Sequence, residues 1–203
     1  MVDYLTYYYA RGTEPFRCLS ALPDEEAIRI MEALADDTPY GDRFKDPAAY
    51  MRNRLLTEQW VCEQFIAKGG RPRGRYPVPM VLGSSRWMVA HAPDRAVHGE
   101  IRIPLAVFSE GDVSFTYPDS MISLWFGRDK PPATYMPEYH GIVFTMSEIL
   151  AIVEAKGLPE DEWDTHLPDD LAPYIEAQVW NQEPLEAYKR QVEQAERRFA
   201  AAD

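Results

Sequence analysis

Three short runs set functional groups where a reaction could use them. Tyr7-Tyr8-Tyr9-Ala10-Arg11 places an arginine beside aromatic rings. A guanidinium pairs with phosphate oxygens and an aromatic ring stacks on a flat heterocycle. In DVSFTY (112–117), strand alternation puts Ser114 and Thr116 on the face of Asp112, with Val113, Phe115 and Tyr117 opposite. In YIEAQVW (174–180), Glu176, Gln178 and Trp180 face one way and Ile175, Ala177 and Val179 the other. A fixed carboxylate moves a proton or stabilises developing positive charge. Taken singly, each run has an ordinary explanation: Arg11 in a surface ion pair, Ser114 and Thr116 on a solvated sheet face, Glu176 on an exposed strand.

A fourth feature is electrostatic. Lys68, Arg71, Arg73, Arg75 and Arg86 fall within nineteen residues that contain no acidic residue, in a chain of formal net charge -12. The acidic surface as a whole repels nucleic acid and anionic lipid. This local loop is suited to phosphate or nucleic-acid contacts, or alternatively to ion pairs with the surrounding acids.

No dinucleotide fingerprint, Walker loop, zinc-helix motif or nucleophile elbow occurs. His91, His98, His140 and His166 lack helical metal-ligand spacing and read as surface or loop histidines, so no metal is expected. Cys18 and Cys62 are too few and too far apart for a disulfide framework and read as reduced thiols. With no long apolar run and no basic-then-apolar N-terminal stretch, the expected setting is cytoplasmic, away from membranes.

The elements that must position these groups follow from caps and periodicity. DYLTYYY (3–9) reads as a first strand. Pro23 opens a helix over 24–36 with acidic residues in its first turn. Asp46, Pro47 and Gly69 bound a long helix over 47–68, its inward face expected at Ala48, Met51, Leu55, Cys62 and Ile66, widened by Leu56 and Trp60. Short strands are expected at 78–82, 86–90, 97–103, 112–117 and 141–145, with a surface loop around Pro131, Pro132 and Pro137. Thr145 and Glu148 form a capping box opening a helix that closes at Gly157. An acidic loop over 158–171 leads to the strand at 174–180. Leu185, Tyr188, Val192, Ala195 and Phe199 stripe a last helix over 184–200.

The expected class is therefore α+β: N-terminal helices, a central, mostly antiparallel sheet of short strands, and a C-terminal amphipathic helix. Residues 1–181 read as one domain. The 182–203 helix is expected to pack on that domain or on a partner subunit, in a monomer or a homodimer.

An arginine at the end of an early strand, a Ser/Thr-bearing middle strand and a glutamate on a late strand resemble the ADP-ribosyltransferase fold, a split β-sheet. The segment EIRIPLAVFSEGDVSFTYPDSM, with YIEAQVW, is similar to the DNA-modifying bacterial toxins of that family. The resemblance implies transfer of ADP-ribose from NAD, as substrate, to a nucleic-acid or protein acceptor. It implies catalytic roles for Glu176, Arg11 and Ser114, and NAD contacts from Arg11, Tyr8, Ser114, Thr116 and Gln178. The chain departs from the family in reading Glu176-Ala177-Gln178 where a pair ending in glutamate is usual. Two other functions fit the same residues: a non-enzymatic interaction or immunity factor, and a nucleic-acid-binding or processing protein using the 68–86 loop.

Overall fold

The run YLTYYYA forms β1 (Tyr4–Ala10), and the alternation continues through β2 (Val78–Leu82), β3 (His98–Pro104), β4 (Val113–Thr116) and β5 (Glu176–Val179) in the computed structural model. The structure describes residues 2–37, 41–91, 98–159, 163 and 171–200. The strands make one antiparallel sheet in the order β3-β1-β2-β5-β4, so the fold is α+β. Among the described residues the α-helices of more than one turn are α1 (Asp24–Asp37), α2 (Pro47–Ala67), α3 (Arg86–His91), α4 (Ser120–Asp129), α5 (Met146–Lys156) and α6 (Leu185–Ala200).

One sheet face is apolar. Leu5, Tyr7, Met80, Leu82, Ile103, Phe115, Ala177 and Val179 pack there with Ile149 and Val153 of α5 and Leu185 and Val192 of α6. The first half of α6 thus lies in the chain's own core; the side chains of Ala195 and Phe199 lie outside the described residues. The opposite face carries Thr6, Val81, Glu176, Gln178, Trp180, Ser114 and Thr116, all buried. Val61 and Phe65 of α2 cover Trp180 there, together with Val143.

The caps act as their residue types dictate. Asp46 accepts the Ala49 amide at 2.9 Å before Pro47, and Gly69 ends α2 at φ +90°. Thr145 and Glu148 complete a reciprocal capping box at α5, and Gly157 closes it at φ +72°.

Three expectations are corrected. RWMVA is not a strand: the Ser85 hydroxyl accepts the Met88 amide at 3.1 Å and starts α3 instead. GIVFT contributes only a bridge, Phe144 to Phe115, because Gly141 is held against Gly127 of α4; a Cβ on Gly127 would stand 2.5 Å from the Gly141 Cα. The inner face of α2 is rotated. Met51, Trp60 and Cys62 pack inward as expected, but Ala48, Leu55, Leu56 and Ile66 are exposed, whereas Thr57, Glu58, Val61 and Phe65 are buried. The reason is a closed polar triangle: Arg54 Nε meets Glu58 Oε1 at 2.9 Å and donates to Ser20 Oγ at 2.9 Å, and Ser20 Oγ donates to Glu58 at 2.8 Å. Hydrogen-bonded in this way, charged groups tolerate burial that an unpaired one would not.

The expected 158–171 loop falls largely outside the described residues, as does His166. Among the described residues no helix is long and apolar enough to cross a membrane.

Candidate active site

The first residue of β5 projects from the polar sheet face toward the start of α4. Ser120, the first residue of α4, donates its amide to Glu176 Oε2. Asp119 caps the same helix: its Oδ1 accepts the amides of Met121 at 3.0 Å and Ile122 at 3.1 Å. Two carboxyl groups therefore take up three first-turn N–H groups of one helix, at its positive end.

The pair titrates as a unit. Burial, then the neighbouring Asp119 charge, pushes Glu176 up to about 7, against the pull of the Ser120 amide. Burial also raises Asp119, opposed by the Ile122 amide and by Arg43. Charge on Asp119 thus makes a second buried negative charge on Glu176 costly, and Glu176 keeps its proton to a higher pH than an isolated carboxyl. Tyr174 is raised well above the ordinary phenol range by burial and then by Asp119 and Glu176. Arg43 and Arg54 lie within electrostatic reach of Asp119. Arg43 is exposed and stacks on Phe44 at 4.7 Å. Arg54 stays charged: burial opposes its charge, but Tyr50, Glu58 and Cys18 outweigh it. Such a carboxyl pair can pass a proton at neutral pH, and its ionised form can stabilise a cationic centre.

The groups named from sequence are only partly brought together. Thr116 sits directly across β4–β5 from Glu176, and Ser114 from Gln178. These are not solvated. Trp180 Nε1 donates to Ser114 Oγ at 2.9 Å, Ser114 Oγ to Gln178 Oε1 at 2.8 Å, and Gln178 Nε2 to Thr116 Oγ1 at 2.9 Å, all out of solvent. This chain of bonds fixes the strand that carries Glu176. Glu176 itself is buried rather than exposed.

Arg11 follows the end of β1. Register places Thr6 level with Val81 and Val81 level with Glu176. Arg11 is thus two strands across and five residues on, about 10 Å sideways and about 17 Å along from Glu176. Tyr8 accepts the Ser85 amide at 3.0 Å and steadies the entry to α3.

The basic segment lies elsewhere. A cleft of about 570 Å³ is walled by Lys68–Arg73 and by Ser109–Asp112. Lys68 pairs with Glu148 at 2.7 Å and Arg73 with Glu183 at 3.3 Å, while Arg75 stacks on Tyr76 at 5.0 Å. Arg86 opens α3 on a separate element.

Sequence reasoning missed Asp119, Arg43 and Tyr174. The signal for Asp119 was present: an Asp-Ser step before the apolar run MISLW is an N-cap pattern. His140, taken for a surface or loop residue, is buried among Tyr117, Phe126 and Tyr135. The His91 side chain lies outside the described residues. No protein-family model, curated protein or solved structure matches this chain.

Proposed function

We propose that the protein is an enzyme whose working group is the Glu176–Asp119 carboxyl pair, and that it cleaves the nicotinamide glycosidic bond of NAD to transfer ADP-ribose to a macromolecule. The observation that carries this reading is a glutamate held near neutral pKa beside a second carboxyl, on a strand braced by its own hydrogen-bonded chain. Perturbed carboxyls of this kind cluster at functional sites. In its ionised form Glu176 stabilises the ribosyl cation as nicotinamide departs; the acceptor nucleophile then bonds to the anomeric carbon and loses its proton. Arg43, exposed and within electrostatic reach of Asp119, takes the NAD-contacting role that the resemblance implies for Arg11. The test is nicotinamide release from NAD, with and without candidate acceptors. Glu176→Gln is expected to abolish it, and Arg43→Ala to raise KM for NAD more than it lowers kcat. No release by the parent protein under any acceptor condition refutes the reading.

A second reading rests on a different observation. Along Arg71–Tyr76 the arginines at 71, 73 and 75 are exposed while Pro72, Gly74 and Tyr76 are half-buried. The inner side is tied down: the Arg71 amide to Gly111 O at 2.9 Å, the Gly74 amide to Trp180 O at 2.8 Å, and Tyr76 O to Gln182 Nε2 at 3.2 Å. This row suits nucleic-acid binding, either as the acceptor site of the enzyme or as the whole function. Single-stranded oligonucleotide binding that weakens with salt, and flattens in salt dependence when Arg71, Arg73 and Arg75 become Ala, is the expected result. Absence of binding at low salt leaves these arginines to their surface contacts.

A further inference from the structure

We propose that two copies of this chain pair antiparallel along β3, with Ile101 of one opposite Ile101 of the other, joining their sheets. β3 is one of the two outer strands of the sheet, and among the described residues it pairs only with β1. An outer strand offers a row of amide and carbonyl groups to another strand. Most edges are protected by charges that repel any newcomer, and here the charges are self-complementary. About a two-fold axis at Ile101, Glu100 faces Arg102 of the second copy and Arg102 faces its Glu100. Within one chain these side chains make a long, exposed ion pair at 3.4 Å, with Arg102 also lying over the Tyr4 ring at 5.1 Å; an exposed pair of this kind is easily exchanged.

The two isoleucines fit the same register. Ile101 and Ile103 belong to the apolar face, so the pairing sets Ile101 against Ile101 and Ile103 against Gly99. At Gly99 the Tyr9 ring fills the space a Cβ would need, 2.5 Å away, so no side chain stands in the way opposite Ile103, which is buried in its own core. A one-residue slip would turn each strand's apolar side to the wrong face, and parallel pairing would lose the Glu–Arg facing. The arrangement is isologous and closes at two chains.

One seven-residue pair is smaller than a standard stable interface, so association is expected to be concentration-dependent between about 10 and about 500 µM. Sedimentation of the full chain over that range should show its mass rise from 23.3 kDa toward twice that value. Glu100→Arg and Arg102→Glu should each remain monomeric throughout, and an equimolar mixture of the two should associate again, since each arginine then faces a glutamate. Both side chains are exposed, so unchanged melting temperatures are expected and the mixture controls for folding. A wild-type chain that stays monomeric, single variants that pair like wild type, or a mixture that fails to associate each overturns the proposal. An edge used instead by another protein's strand appears as the first of these outcomes.

Discussion

Replacing Glu176 by glutamine should make the protein more stable above neutral pH while removing its activity. The unfolded chain ionises this carboxyl near its ordinary value of 4.5, whereas the folded chain holds the proton up to about 7. A folded pKa raised above the unfolded one favours the fold fully below about 4.5, and the advantage is lost as pH rises through about 7. At about 1.4 kcal/mol per pH unit, the gap sets an upper bound of about 3.5 kcal/mol, lessened by the coupling to Asp119. Glutamine keeps an oxygen for the Ser120 amide and has nothing to titrate. Urea unfolding followed by the fluorescence of the five tryptophans, at pH 5 and pH 8, measures the difference. Wild type should lose about 2 kcal/mol or more from this site between those pH values relative to the variant. Parallel wild-type and Glu176→Gln stabilities across that range, or a variant less stable than wild type at pH 8, would refute the argument from a raised Glu176 carboxyl.

The buried His140 should give the opposite slope. Its Nδ1 accepts the Met136 amide at 3.1 Å, and burial lowers it to about 4 despite the nearby Glu138, so its stabilisation is present above about 6.5 and lost as pH falls through about 4. An NMR titration should find the ring neutral at pH 5.5, and His140→Phe should remove that part of the acid dependence. Ser114→Ala leaves Trp180 Nε1 and Gln178 Oε1 without their buried partner, and chemical denaturation should report a loss of about 1–3 kcal/mol. Leu56→Glu, on the exposed face of α2, should change stability by less than about 0.5 kcal/mol. A larger loss there would restore the face first inferred for this helix.

Elements with local punctuation were readable. Asp46, Pro47 and Gly69, and the Thr145–Glu148 box, fix α2 and α5 through bonds made within a few residues, and the alternation in β1, β2, β4 and β5 matches their faces. What failed depended on distant partners. The α2 face could not be taken from hydrophobicity, because Ser20 supplies a partner for Glu58 from thirty-eight residues away. Glu176 was singled out correctly as a polar-face residue of its strand, yet its burial depends on Ser120, a neighbour only once the sheet has formed. Arg11 and Glu176 share a sequence pattern but not a location, since strand order separates them.

The bridge between Phe115 and Phe144, with each amide donating to the other's carbonyl at 2.9 and 2.8 Å, bears on assembly at the far side of the molecule. It occupies the outer side of β4 and leaves β3 as the sheet's one open margin among the described residues. A unit with two sticky margins can propagate into a fibre; a unit with one has a valence of one. Whatever strand it accepts, self or foreign, growth ends with that addition. Loss of the Phe144 bridge would therefore do more than loosen a loop. It would raise the valence to two and turn a terminating pair into a chain-forming unit.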